Sequence, residues 1–156
     1  MQNEFDGRKG HLQLLMNELT TSIGANEKRY FHAKTIENLI FHFEEIKTEN
    51  DKKWVYETLV EYLKKCSEYV PSMDRETSKN LFFEYLDNIT DYYHNNLGFS
   101  VLMNRVIVYL VYVLILSLCY YFFNFYVVIA VASIFIFQII RAFKKYREKQ
   151  VYGLYW

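Results

Sequence analysis

Between Val106 and Ile140 the chain reads VIVYLVYVLILSLCYYFFNFYVVIAVASIFIFQII, a run of 35 residues that contains no charged side chain. A run of about 18 such residues is already long enough for a transmembrane helix. A single helix of this length would extend about 52 Å, whereas the hydrocarbon core of a bilayer is about 30 Å thick. Tilting would have to reach about 55°, beyond the usual limit of about 40°. The run therefore predicts two membrane-spanning helices.

Aromatic residues in the middle of the run indicate where the chain turns. They flank Asn124 on both sides, from Tyr120 to Tyr126. Tyr favours the membrane–water interface, and Asn tolerates turn conformations. We therefore expect a transmembrane hairpin over residues 99–143, with spans over about 101–122 and 125–142. The alternative is a hairpin buried in a soluble core, but a chain of 156 residues is too small to cover such a run.

The distribution of charge predicts the orientation of this hairpin. Residues 1–100 contain 12 Lys/Arg and 17 Asp/Glu, a net charge of −5, whereas residues 101–156 contain 6 Lys/Arg and 1 Asp/Glu, a net charge of +5. Arg105 precedes the first span and five cations follow the second, so the positive-inside rule places both ends in the cytoplasm. No N-terminal signal peptide is visible. We expect a multi-pass membrane protein with cytoplasmic N- and C-termini, either in the cell inner membrane or, as the alternative, in the endoplasmic reticulum.

Residues 1–98 predict a cytoplasmic helical domain, because their apolar residues recur at intervals of three and four. The predicted helices run from about Lys9 to Ile23, from Asn26 to about Glu49, from a polar break at residues 48–51 to Pro71, and from a cap at Ser72 or Asp74 to Leu97. Gly98 then allows a hinge. Four helices with short connections suggest an antiparallel bundle, so the predicted fold class is all-α. The aromatic side chains of this domain could also pack against neighbouring subunits.

Polar side chains within the apolar run and next to it are candidates for a pore lining or for helix packing. One stripe of the first span carries Arg105, Tyr109, Tyr112 and Tyr120. A lone hairpin cannot enclose a pore, so conduction would require a homo-oligomer. The pore or packing candidates are Arg105, Tyr109, Tyr112, Ser117, Asn124, Ser133 and Gln138.

The region after the second span is a basic and aromatic cytoplasmic tail, residues 144–156. Its cations can reach anionic lipid headgroups while its rings lie at the interface, which makes membrane lipids the expected partner. The last six residues are mostly apolar and aromatic, and we expect them to dock on the membrane surface or on a neighbouring subunit. The membrane-surface candidates are Arg141, Lys144, Lys145, Arg147, Lys149 and Trp156.

Motifs for chemistry are not found in the sequence. It contains no phosphate-binding glycine loop, no nucleophile elbow and no zinc-ligand spacing, and its histidines do not form the repeated Glu-x-x-His pattern of a di-iron bundle. We therefore expect neither enzymatic activity nor a metal or other cofactor. One basic and aromatic patch could bind a nucleotide or oligonucleotide, or could be a solvated face beside ordinary core aromatics: Lys28, Arg29, Tyr30 and Lys34.

A helical cytosolic domain followed by two short spans and a basic tail resembles the small two-span membrane effectors of bacterial anti-phage defence. The resemblance is one of architecture over the whole chain. It implies an oligomeric effector whose cytosolic domain responds to a regulatory protein, a nucleotide or a nucleic acid, and whose hairpins permeabilise the membrane or form a pore. The alternative is a non-conducting membrane anchor or scaffold that recruits a cytosolic partner.

Overall fold

The structure, a computed structural model, describes residues 2–101, 105–122 and 125–153, with the backbone alone for residues 2–6, 105–107, 109, 122 and 125. The chain is mostly helical, which confirms the all-α class. The helices are α1 (Gln2–Ser22), α2 (Ala33–Phe41), α3 (Glu49–Ser67), α4 (Arg75–Leu81), α5 (Asp87–Leu97), α6 (Arg105–Phe122) and α7 (Phe125–Arg147). A 3-10 turn (Phe43–Glu45) follows α2, a π-helical turn (Phe82–Leu86) joins α4 to α5, and two short strands are β1 (Ser100–Val101) and β2 (Val151–Tyr152).

The predicted second helix was too long. The segment after α1 forms turns, and α2 begins only after His32, whose φ of 50° lies in the left-handed region. A non-glycine residue in this conformation interrupts a right-handed helix. The His32 ring is fully buried, with Nε2 lying 3.1 Å from the carbonyl oxygen of Ser78. This contact with a distant part of the chain accompanies a break that the apolar spacing around Tyr30 and Phe31 does not predict.

Side-chain caps begin two of the helices, and one of these caps, Asp74, was predicted. Thr48 caps α3, because its hydroxyl accepts a hydrogen bond from the Asp51 amide at 3.2 Å. Asp74 is the cap of α4, with Oδ1 accepting hydrogen bonds from the amides of Glu76 and Thr77 at 2.9 and 3.0 Å. These contacts satisfy amide groups that have no partner within the helix. The hydrogen bond from the Thr77 side chain, followed by that from its amide, lowers the pKa of Asp74.

The core of the helical domain is assembled from α1–α5. The predicted apolar face of α3 is confirmed, since each of its members is buried. Gly98, with a φ of 70°, ends α5 and turns the chain so that Phe99 is also completely buried. Tyr152 belongs to the same core cluster, although it follows α7 in the sequence. The core side chains of α3 are Val55, Leu59, Tyr62, Leu63 and Cys66.

The thiol of Cys66 is expected to be chemically inert. Burial raises its pKa to about 12, and the side chain has no exposed surface. Because the thiolate is the reactive form, folding should slow its reaction with an aromatic disulfide at pH 8 by about a thousandfold. In a Cys119→Ser variant, Cys66 is the one remaining thiol. The rate at which it reacts in denaturant is the reference for the rate in the folded chain. Equal rates for the folded and denatured chains would contradict this packing of α3.

Candidate functional site

The most exposed apolar surface of the molecule belongs to α6 and α7. The segment Tyr126–Arg147, 22 residues long, is long and apolar enough to cross a membrane, and its most apolar part has no buried residue. Leu110–Tyr121 in α6 is a shorter apolar segment. Side chains such as Leu114 and Phe137 are more than half exposed. Large contiguous apolar surfaces of this kind mark contact with lipid or protein.

Tyr112 of α6 contacts α7 through both its ring and its hydroxyl group. The ring of Tyr112 stacks on that of Phe135, with centroids 4.2 Å apart and planes inclined by 15°. The Tyr112 hydroxyl donates a hydrogen bond to Oε1 of Gln138 at 3.1 Å. Two of the predicted packing candidates, Tyr112 and Gln138, are thus brought together. Such a pair satisfies polar groups that would be costly to leave unpaired in lipid.

The other pore or packing candidates are placed differently. Ser117 donates to the carbonyl oxygen of Val113 at 2.8 Å, and Ser133 donates to that of Ile129 at 2.9 Å, so each hydroxyl bonds within its own helix. The side chains of Arg105 and Tyr109, and all of Asn124, lie outside the described residues.

The chain segments that enter and leave α6 and α7 are joined to each other. Strands β1 and β2 pair in parallel, with Ser100 opposite Val151 and Val101 opposite Tyr152. The Ser100 amide donates to the carbonyl oxygen of Gln150 at 3.0 Å. Both ends of the apolar segment are therefore held side by side against the helical domain.

A row of buried polar residues on α2 holds the segment after α7. Thr35, Asn38 and His42 are spaced by three and four residues and so share one face of the helix. Asn38 Nδ2 donates to the carbonyl oxygen of Val151 at 2.8 Å, and the Thr35 hydroxyl donates to that of Gly153 at 3.0 Å. We call these three residues together with the segment 148–153 the tail clasp.

His42 makes the third contact of the tail clasp. Its Nε2 donates to the carbonyl oxygen of Glu148 at 2.8 Å, and its Nδ1 lies 2.7 Å from a carboxylate oxygen of Glu45. Both partners are acceptors, so each ring nitrogen of His42 faces an oxygen atom that can accept a hydrogen bond. His42 thus links the Glu45 carboxylate to the tail. No group of three or more potential metal ligands is found among the described residues.

The tail clasp corrects one expectation and was missed from the sequence. The apolar residues after α7 were expected to dock on the membrane surface or on a neighbouring subunit. Instead, Val151, Tyr152 and Gly153 are buried on the helical domain of their own chain. The sequence does contain one signal of this contact: polar residues recur at intervals of three and four beside Ile36 and Leu39, which are buried.

The cations at the end of α7 fall into two groups. Lys145 Nζ donates to the Gly98 carbonyl oxygen and the Ser100 hydroxyl, both at 2.7 Å, and Lys149 Nζ lies 4.2 Å from the centroid of the Phe41 ring. These two cations contact the helical domain. Arg141, Lys144 and Arg147 are exposed on α7, and Lys149 is exposed after its end, whereas Trp156 lies outside the described residues.

Side chains of the predicted ligand patch already contact other side chains of the same chain. The Arg29 guanidinium lies over the Tyr30 ring, 4.7 Å from its centroid, and donates to the Tyr30 hydroxyl at 3.0 Å. Lys34 forms an ion pair with Glu37 at 3.2 Å. Lys28, Arg29 and Lys34 still line one shallow depression of about 490 Å³. Its role in binding a nucleotide or oligonucleotide stays a prediction.

A second groove lies where α6 and α7 meet the helical domain. It has a volume of about 500 Å³ and is bordered by α5, both strands and both apolar helices. Arg141 and Lys145 supply its positive charge, and its walls are mainly aliphatic and aromatic. The neighbouring His94 is oriented by Nδ1, which donates to the Phe99 carbonyl oxygen at 2.7 Å.

Comparison with known proteins returned no match to a protein-family model, to a curated protein or to a solved structure.

Proposed function

We propose that the chain is an oligomeric integral-membrane effector of the cell inner membrane, in which α6 and α7 form a transmembrane hairpin. The helical domain lies in the cytoplasm and controls whether the hairpins permeabilise the membrane. The observation that carries this proposal is the tail clasp with its β1–β2 pair, since it connects the domain directly to both ends of the exposed apolar helices.

The paired strands support an even number of spans. Because β1 precedes α6 and β2 follows α7, their pairing favours an arrangement in which both ends of the apolar segment lie on the same side of a membrane. At 1.5 Å per residue, the 18 residues of α6 extend about 27 Å, and α7 extends about 24 Å from Phe125 to Ile140, before its first cation. These lengths are close to the thickness of a hydrocarbon core, about 30 Å. The cations that follow α7 favour the cytoplasmic side.

Permeabilisation requires several chains. Tyr112 and Gln138 bond to each other across the hairpin, so one hairpin presents mainly apolar side chains outward. An oligomer would bring several such hairpins together, and rearranged Tyr112 and Gln138 side chains would supply polar groups for a water-filled path. The domain can influence this assembly because the clasp fixes where α7 ends. The architecture resembles that of membrane effectors in anti-phage defence, and on this basis the trigger would be a regulatory protein, a nucleotide or a nucleic acid.

The test is conductance of the purified full-length protein in planar bilayers, with its mass in detergent measured in parallel. We expect discrete currents from a defined oligomer, and a fall in membrane potential when expression is induced in cells. The Ile134→Arg variant, which should not insert, is the control for expression itself. Unchanged membrane potential and growth, even with the activating partner present, would refute the effector function.

A second function is a non-conducting anchor or scaffold that recruits a cytosolic partner. The absence of charge from Val106 to Ile140 favours it, because conducting pores commonly place charged groups along the path. A membrane-integrated monomer or dimer without currents would support the anchor. Partner binding should then be tested with the full chain, because removing everything after Leu97 also removes the tail that covers α2.

A further inference from the structure

We infer that the groove between the apolar helices and the helical domain binds the headgroup of one anionic phospholipid. This inference rests on the proposed membrane insertion of α6 and α7. It goes further by assigning the ligand to a defined site rather than to the charged surface as a whole.

The groove combines the two kinds of surface that a phospholipid requires. Arg141 and Lys145 border it on the side of the helical domain, whereas Val108 and Ile139 border it along the apolar helices. A phosphate group at the cations would direct its acyl chains along the aliphatic wall. The volume of about 500 Å³ allows a headgroup and the first carbons of its chains to enter.

The electrostatics of the groove select a negative charge. The described residues that line it include two cations and no carboxylate. Lys145 is held by hydrogen bonds to Gly98 and Ser100, each 2.7 Å long, which use two of its three donors. Within the described part of the chain, Arg141 has no hydrogen bond or ion pair, so its fork of donors is available to a phosphate.

The depth of the groove fits the headgroup layer. Arg141 is the first charged residue after the uncharged run, so it marks the level at which α7 leaves the hydrocarbon core. Basic pockets between membrane helices at this level suit anionic lipid headgroups. A free phosphate ion would use the cations but gain nothing from Val108 and Ile139, which favours the lipid.

The test compares Arg141→Gln with Arg147→Gln in the full-length protein in non-ionic detergent. Both residues are exposed arginines of α7, but only Arg141 lines the groove. Native mass spectrometry during a titration with phosphatidylglycerol should show one saturable lipid per chain. We expect Arg141→Gln to weaken this binding about tenfold and Arg147→Gln to leave it nearly unchanged. Matching helical circular dichroism of the two variants checks their fold.

Several outcomes would overturn the site. Equal weakening by both substitutions would indicate diffuse charge attraction, and no weakening by Arg141→Gln would remove its role. Equal binding of phosphatidylethanolamine would exclude selection for net charge, and displacement by equimolar inorganic phosphate would assign the site to the free ion. Extraction of wild-type protein from membranes by alkaline carbonate would instead refute the proposed membrane insertion, so the two failures are distinguishable.

Discussion

Replacing residues 102–147 with a short flexible linker is expected to give a water-soluble, folded helical protein, whereas the chain that ends at Val101 should melt about 15 °C lower. The described core cluster contains no residue of α6 or α7 but does contain Tyr152. The linked chain therefore keeps the core and the tail clasp. The chain that ends at Val101 leaves buried Thr35 and Asn38 without the backbone groups that they contact.

The size of this effect follows from what the tail buries. Val151 and Tyr152 are almost fully covered, and their burial together with the clasp hydrogen bonds should contribute about 3 kcal/mol after ordering of the segment. For a domain of about 100 residues, each kcal/mol shifts the melting temperature by about 4–8 °C. Thermal circular dichroism of the two chains measures the difference. Equal melting temperatures would show that the tail does not complete the core.

A point substitution in the linked chain provides a finer control. Asn38 is 1% exposed and donates to the Val151 carbonyl oxygen. Asn38→Ala should lower the free energy of unfolding by about 1–3 kcal/mol, because it removes the donor and leaves that oxygen without its partner. Asn80→Ala, at an exposed position of α4, should change it by less than about 0.5 kcal/mol. Similar losses for both would argue against the clasp.

The second large predicted effect is on the insertion of α7 into the membrane. Ile134 lies within the apolar part of α7 and is 56% exposed, and Leu14 on α1 is 54% exposed. Arginine in the centre of a transmembrane helix costs about 2.5–3.5 kcal/mol, so Ile134→Arg should reduce the ratio of membrane-integrated to soluble protein about a hundredfold. Leu14→Arg, on a water-facing surface, should leave this ratio unchanged.

The measurement is the fraction of each variant that stays in the membrane pellet after alkaline carbonate treatment. A water-soluble chain with an exposed apolar helix would tolerate or even benefit from arginine at position 134. Retention of Ile134→Arg at the wild-type level would therefore contradict a span through α7, and release of the wild-type chain would contradict insertion altogether.

The parts of the fold that local sequence determines were predictable. The apolar face of α3 repeats every three or four residues, and Asp74 lies where a cap was expected. The break before α2 was not predictable, because it accompanies a contact between His32 and Ser78, 46 residues later. Local propensity does not report such tertiary contacts.

The candidate functional site was likewise predictable only in part. The apolar run and the cations after it are visible in the sequence, and Tyr112 and Gln138 were among the packing candidates. The tail clasp was missed because strands of two residues have no periodicity to detect, and because Thr35 and Gly153 are 118 residues apart. The groove could not be predicted from any continuous stretch of sequence, since its walls come from five separate helices and strands.

The pairing of β1 with β2 also sets an order of events during synthesis. The ribosome makes β1 before the two apolar helices and β2 after them, so the domain can form most of its core early but cannot close it then. Closure requires that α6 and α7 have already emerged. In the proposed transmembrane arrangement, it also requires that the segment following α7 lies on the same side of the membrane as β1. Under that proposal, a chain that left β2 on the opposite side of the bilayer would leave the tail-binding face of α2 uncovered.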